Sequence, residues 1–249
     1  MAYVFKDREP PRKWREFKQR ARRKYLTPFY AVSWLADWAA YFLGKWPVVE
    51  LLEYLGSFSI LFAAIVYFAD APNRLKQKHY QAWQVINTAE GKGGNGGRID
   101  ALQELNGDHV SLVGVNVDGA YLQGLKLEDA QARRATFVGT DLRDADFQRA
   151  SLPDADLRFA NLRRANLRAC NLTGARLEDA DLTGADFSGA DLTGVTLDRA
   201  DLRDANLSHV KNWEVIKSMD KANVQAARNA PGGFLDWARK NGAVEVKTE

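Results

Sequence analysis

The stretch ADLTGADFSGADLTG, residues Ala180–Gly194, returns a large apolar residue at every fifth position. Followed outward in both directions, the same register holds from Leu112 to Leu207 without a slip, which makes twenty units. Two residues before each of these centres stands a small residue. It is Ala in most units (Ala120, Ala130, Ala135, Ala145), with Val110, Val115, Leu125, Thr140, Cys170 and Val195 as variants. A period of five is neither the 3.6 of a helix nor the 2.0 of a strand. Sustained this long, it marks a solenoid, in which each unit buries its apolar face only against its neighbours. The other three positions are mostly Asp, Asn, Arg, Thr, Ser, Gln or Gly, so they face water.

The outward positions also carry turn chemistry. Gly recurs two residues after the centre, as in Gly114, Gly174, Gly184 and Gly194, where a chain rounding a corner needs positive φ. Pro153 directly follows its centre, the first central turn position, which its fixed φ suits. Asp or Asn just before many centres can hydrogen-bond the backbone of the following turn.

On these residues the chain resembles the pentapeptide-repeat family, of the membrane-anchored bacterial type, over roughly two fifths of its length. The resemblance implies a mainly β solenoid: a right-handed quadrilateral parallel β-helix, four units per coil, with centre and small residue pointing inward. Twenty units then give five coils, and at the spacing of paired strands the rod is roughly 24 Å long. Leu125 and Ala132 exchange the large and small roles in adjoining units, so compensating volume within the core is expected there.

Charge is unevenly spread along the chain of 249 residues. Val110–His209 holds sixteen acidic residues against twelve basic, about −4, whereas residues 1–25 hold ten basic against three acidic. A basic helix is expected from Arg12, with Trp14, Phe17 and Ala21 on one stripe. It suits the headgroup zone of an anionic inner leaflet through Arg12 to Lys24; a nucleic-acid arm is the disfavoured alternative. The single cysteine, Cys170, excludes an intramolecular disulfide framework and falls at an inward position, where packing is its expected role.

Two apolar runs, Leu26–Leu43 and Leu51–Ala69, flank the turn Gly44-Lys45-Trp46-Pro47 and read as a transmembrane helical hairpin over 26–69. A buried hairpin of a soluble protein is the alternative. The basic leader together with Arg74, Lys76 and Lys78 puts both termini in the cytoplasm and the chain in the inner membrane as a multi-pass protein. Asp37 lies within the first run. A carboxylate there needs a partner or a proton, and folding about Trp46 brings it level with Tyr54 and Ser57; proton or ion handling is the alternative role. Residues 70–97 read as a polar helix, about Asn73–Thr88, followed by a flexible joint at Gly91–Gly97. Residues 98–210 are the rod with a short covering helix, Arg98–Asn106. In 211–249 the repeat stops at Lys211, and helices over Trp213–Met219 and Gly233–Lys240 are expected to cap the open end.

Nothing in the sequence assembles a catalytic, cofactor or metal site. His79, His109 and His209 are isolated from other ligands at metal spacing, and the Gly-rich run lacks the preceding strand and Lys-Ser/Thr ending of a phosphate loop. The leading expectation is a non-catalytic, membrane-tethered scaffold that presents the rod to a protein partner through a basic docking face: Arg158, Arg163, Arg164 and Arg168. Transport or sensing through the hairpin is the alternative. Some members of the family resemble DNA and bind DNA gyrase, but a rod with twelve basic residues fits that poorly. No nucleic-acid partner is expected, and a homo-oligomer stays open.

Overall fold

The computed structural model describes residues 9–19, 27–45, 47–88 and 95–246. The chain divides into two compact units, Met1–Arg74 and Leu75–Glu249.

The second unit is built by the five-residue rule. Within each unit the carbonyl of the centre accepts the N–H three residues on, as in Leu125 N–H to Leu122 O at 3.0 Å and Ala165 to Leu162 at 3.0 Å. The turn so closed holds positive φ at its third residue, glycine at Gly174 (φ 68) and Gly184 (φ 69) but also Asp144, Arg164 and Phe159. Four such turns return the chain to its starting edge after twenty residues. Asp141 bridges Asn161, and Asn161 bridges Asp181, all in parallel. Each bridge is a single residue, bonded both ways: Asp141 N–H donates to Ala120 O and Leu122 N–H to Asp141 O, both at 2.8 Å. The result is a four-sided parallel β-helix with no longer strand among the described residues. Its sides are named here by their middle centres, Leu152, Leu157, Leu162 and Leu167.

Centres and small residues fill the interior. Leu142, Leu162 and Leu182 are fully buried, as are Ala145, Ala165 and Ala185 apart from traces. Phe137 and Phe147, from opposite sides of one coil, meet edge to face across the core at 5.8 Å. Leu125 and Ala132 are both fully buried and the ladder runs through them, Ala132 N–H donating to Ser151 O at 2.9 Å. Thr140, the buried polar variant, donates its hydroxyl to Val117 O at 3.0 Å.

Helix α5, Arg98–Gly107, lies against the first coil through Leu102 and Leu105. Its polar side chains stand in for a missing coil. Ladder geometry would send the Lys126 N–H to a backbone carbonyl below; instead Gln103 Oε1 accepts it at 2.9 Å, and Asn106 Nδ2 donates to Glu128 O at 2.8 Å. An exposed ladder edge is thereby satisfied. Helix α4, Ala71–Thr88, buries Ala82 and Ile86 in the same hydrophobic cluster, and its Lys78 and His79 pair with Glu104 and Asp108. The polar helix before the glycine run therefore packs with the rod from Leu75 onward, because one side of it is apolar. Residues 91–94 of the expected joint, with 89 and 90 before it, lie outside the described residues.

The far end differs from expectation. The ladder continues past Leu207 with an offset of twenty-two: Thr196 bridges Ser218, Asp201 bridges Asn223, and Asn206 bridges Arg228. The two extra residues are absorbed after Lys211, around a short 3₁₀ turn at Trp213–Val215. The expected helix Trp213–Met219 is thus only that turn, and Met219, Ala222 and Val224 are inward residues of a sixth coil. Helix α6, Phe234–Lys240, buries Phe234 and Ala238, and Trp213 meets its Phe234 and Trp237 edge to face. Val244 then bridges Asn223 as a last rung.

In the first unit, α1 (Trp14–Gln19), α2 (Thr27–Lys45) and α3 (Pro47–Ala69) match the leader and the two apolar runs; Ala21 and Trp46 lie outside the described residues. Trp34 Nε1 donates to Arg12 O at 2.7 Å and its ring stands 5.4 Å from Trp14, so the leader lies along α2. Over Tyr54–Ala69 the described large apolar side chains of α3 are exposed in several directions. At 3.6 residues per turn Phe58 and Phe62 point one way, Ile60 and Tyr67 the opposite way, and Leu61 and Phe68 between them. Among the described residues no single helix is long and apolar enough to cross a membrane; Tyr54–Ala69 reaches that measure only when taken together with Ala71–Thr88.

Candidate functional site

The outward side chains of the rod are organised by two spacings. Where a unit reads Asp-Leu-Arg, the arginine folds back onto the aspartate of its own unit. Arg143 grips Asp141 at 2.8 and 2.6 Å, Arg158 grips Asp156 at 2.8 and 2.7 Å, and Arg203 grips Asp201. At the positive-φ corner, residues twenty apart stack, and Arg149–Asp129, Arg164–Asp144 and Arg199–Asp179 form two-pronged pairs of 2.6–2.9 Å. These planar fork-to-carboxylate bonds hold Asp129, Asp141, Asp144 and Asp179 below the ordinary carboxylate range. Asp201 is pushed up by burial, but its bonds to Arg203 outweigh this and leave it low as well.

The four arginines expected to make one docking face do not share a face. By the twenty-residue register Arg158 is on the Leu157 side, Arg163 and Arg164 on the Leu162 side, and Arg168 on the Leu167 side. Five residues of sequence advance the chain by one side, so a run of nearby arginines winds around the rod. Two of the four are already held by forks. Arg163 and Arg168 differ because their units read Asn161-Leu162-Arg163 and Asn166-Leu167-Arg168, with a neutral residue where Asp141 or Asp156 would stand. Their carboxylate contacts reach across to the next coil and are longer: Arg163 to Asp181 at 3.4 Å and Arg168 to Asp186 at 3.7 Å.

On the Leu162 side, the column Arg143, Arg163, Thr183, Arg203 is broken by a short residue beside Gly184. A hollow of about 440 Å³ opens there, lined by Arg163, Thr183, Arg203, Asp204, Gln225 and Ala226. The acidic distal part is likewise distributed over the sides and tied up in turns: Asp181, Asp186 and Asp191 each accept the N–H and the hydroxyl of the residue two on. Sequence reasoning missed two further features. Phe159 takes a corner position, at φ 59 and 58% exposed, where glycine or a small polar residue is usual. Arg98 is fully buried at the start of α5, its Nε directed at Asn95 O, and burial lowers its pKa.

Asp37 lines a hollow of about 310 Å³ with Glu9, Pro11 and Tyr41. Its described surroundings come from the leader and its own helix, not from Tyr54; the Ser57 side chain lies outside the described residues. Cys170 is buried, and burial pushes its thiol pKa up. Among the described residues no group of three or more His, Cys, Asp or Glu side chains is arranged to hold a metal ion.

The profile of the family "Pentapeptide repeats" matches in eight copies, over residues 111–149, 140–179, 150–189 and 170–208. No significant match is found among curated proteins. Similar solved structures include the pentapeptide-repeat protein Rfr23 of the cyanobacterium Cyanothece 51142, at 28% identity over 39% of this chain and 58% of that one, with a TM-score of 0.32. A pentapeptide-repeat protein of the Arabidopsis thaliana thylakoid lumen matches at 24% identity, over 53% of this chain and 88% of that one, with a TM-score of 0.33. HetL of Nostoc sp. strain PCC 7120, described as involved in heterocyst differentiation regulation, matches at 27% identity over 47% and 71%, with a TM-score of 0.26. The similarity spans less than two thirds of Rfr23. Residues 111–208, where the pentads, the twenty-residue coils and the family profile all coincide, are pentapeptide repeats.

Proposed function

We propose that the protein is a non-catalytic interaction scaffold, held at the inner membrane by its first unit and presenting the rod in the cytoplasm. The observation that carries the tether is α3. Between Tyr54 and Ala69 its described large apolar side chains are exposed in several directions, with Ile60 75%, Phe68 73% and Phe62 68% accessible. A helix apolar all round is stable only in a protein core or in lipid, and nothing described in the first unit covers it. The aromatic residues of α2 and the basic residues Arg12, Lys13 and Arg15 suit the water interface and an anionic inner leaflet, and the positive-inside rule sets both termini in the cytoplasm.

Proteins of this family are generally structural or interaction proteins, and the rod's surface agrees with that role: its charges are engaged with one another and form no reactive constellation. The DNA-mimic reading, in which the rod binds gyrase, needs a surface dominated by negative charge. Here arginine forks neutralise the carboxylates coil by coil. A sensing or transport role for the first unit is supported by the hollow at Asp37; ion flux into liposomes carrying the purified protein tests it.

The membrane reading is tested on the full chain. Membranes from producing cells are washed with high salt and then with alkaline carbonate, and thiol-reactive labelling is compared for cysteines placed at Lys45 and Ser208. The scaffold reading expects retention through both washes, labelling of Lys45→Cys from the far side, and labelling of Ser208→Cys from the cytoplasm. Release by either wash, or labelling of both positions from one side, refutes the tether.

A further inference from the structure

We propose that helix α4 has a second partner, the surface of an anionic lipid bilayer, and that the acidic cap of the rod competes for the same face of the helix. The choice of surface rests on the membrane reading above.

Within residues 75–88, Leu75, His79, Ala82 and Ile86 recur three and four apart and form one stripe, with Trp83 beside it. Lys76 and Lys78 lie on opposite flanks of that stripe, and Gln77, Gln81, Gln84 and Thr88 make the far side. The stretch holds no acidic residue. An apolar stripe edged by lysines is the pattern of a helix that lies in the headgroup zone of an anionic leaflet.

The rod uses only part of the stripe. Ala82 and Ile86 are buried in the cluster that contains Ala101, Leu102 and Leu105 of α5, whereas Leu75 is 46% exposed. The lysine edge meets negative charge. Asp100, Glu104 and Asp108 recur every fourth residue. Lys78 Nζ stands 3.0 Å from Glu104 Oε1 and 3.5 Å from Asp108 Oδ2, and His79 Nε2 is 2.9 Å from Asp108 Oδ2. The rod therefore offers α4 what an anionic headgroup layer offers, negative oxygens beside an apolar floor. Lys76, on the other flank, has no ion pair among the described residues, so its charge is not used by the rod. Tyr80 is 65% exposed, an amphipathic ring suited to the water interface. The rod's hold on α4 is modest: two buried side chains and pairs to a half-exposed lysine, which are individually weak. Such an element opens locally before the coils do.

The test is hydrogen exchange on the full chain reconstituted into vesicles of phosphatidylcholine alone or with about 30% phosphatidylglycerol. In the anionic vesicles the amides of α5, uncovered when α4 leaves, are expected to exchange about three-fold faster or more, while those of α4 stay protected on the lipid surface. Raising the salt to about 0.5 M should abolish the difference. Two variants separate the partners. Lys76→Gln, at a position without an ion pair to the rod, should abolish the response to anionic lipid and leave exchange in neutral vesicles unchanged. Asp108→Asn weakens only the rod's side of the competition and should enlarge the response. Equal exchange of α5 in the two lipids overturns the proposal, as does an unaltered response in Lys76→Gln. Loss of protection in α4 together with α5 overturns it too, since that is undocking without a new surface. The same α5 response to soluble polyglutamate in neutral vesicles would assign the face to an acidic protein and refute the lipid. Should a salt or carbonate wash release the chain, the tether fails, and the comparison is read with the chain added to preformed vesicles.

Discussion

Substituting Leu162 by Ala isolates the energy that holds the rod. Leu162 is fully buried, with Leu142 and Leu182 below and above it in the same inward column. Removing most of a buried Leu side chain costs about 2–5 kcal/mol, least where the surroundings can collapse into the space. Collapse is restricted here. The backbone N–H groups of Leu142, Leu162 and Leu182 are each tied to the next coil, at 2.8, 2.7 and 2.8 Å, so the walls cannot move inward without breaking ladder bonds. The upper half of that range, about 4 kcal/mol, is expected. One position on, Arg163→Gln alters a side chain in water with a single long ion contact and is expected to change stability by less than about 0.5 kcal/mol. Urea titration of the full chain, followed by hydrogen exchange of rod amides, reads both. Exchange should accelerate first in the coils containing Leu142, Leu162 and Leu182, since coupling in a solenoid is to nearest neighbours. Comparable losses for the two variants would refute the inward and outward assignment.

Acid should weaken the rod. Asp129, Asp141, Asp144 and Asp179 have native pKa values below the unfolded value of about 3.9. Their contribution is therefore full above that value and lost as pH falls through it to the depressed native values; the urea midpoint at pH 3 should lie below that at pH 7, with the gap narrowing in high salt. Cys170, buried with its thiol directed at Ala150 O, should resist thiol reagents in the folded chain and react once urea opens the rod; reaction of the native chain at the unfolded rate would contradict its inward placement. Gln103→Leu removes the acceptor of the Lys126 N–H and should cost about 0.5–1.5 kcal/mol, with faster exchange confined to the first coil. Gly242→Ala should destabilise α6 and the last rung, because φ is 93 and a Cβ would stand 3.1 Å from the Asp220 Cα, which is backbone; an unchanged melting temperature would show that this turn relaxes freely.

Inward residues were the most legible part of the sequence, because core packing imposes them every fifth position. The twenty centres from Leu112 to Leu207 are buried in the register read from the sequence. The reading failed where that register shifts. Two additional residues after Lys211 disguised the sixth coil, although Met219 and Val224, and Ala222 and Ala227, still recur at five. Helix α4 reads in the sequence as a polar helix before a flexible joint because its apolar side is short, and the packing of Ala82 and Ile86, with the pairs Lys78–Glu104 and His79–Asp108, attaches it to the rod. At the candidate site, the arginines were visible but their grouping was not. Adjacency along a solenoid is a spacing of twenty, so Arg143, Arg163 and Arg203 are neighbours in a column while Arg158 and Arg163 face different ways. The signal that separates Arg163 and Arg168 from the rest was in the sequence as Asn in place of Asp two residues before.

That signal follows from how the repeat divides its labour. The inward positions and the turn backbone determine the coil, so an outward residue can change without altering the fold, and regularity on the surface has to come from the side chains' own interactions. In this rod that regularity is the arginine fork, repeated within units and between coils until most of the charge is spent internally. Departures from it are then informative. An arginine beside Asn161 reaches to Asp181 of the next coil instead, and a threonine between two arginines leaves a hollow beside Gly184. Phe159 departs in another way: it holds a bulky ring at φ 59, a conformation costing about 1–3 kcal/mol for such a residue, on a corner where glycine would avoid the strain. Neither departure serves the core, which is complete without it. Both therefore direct the search for a partner to particular outward positions and away from the net charge of the rod.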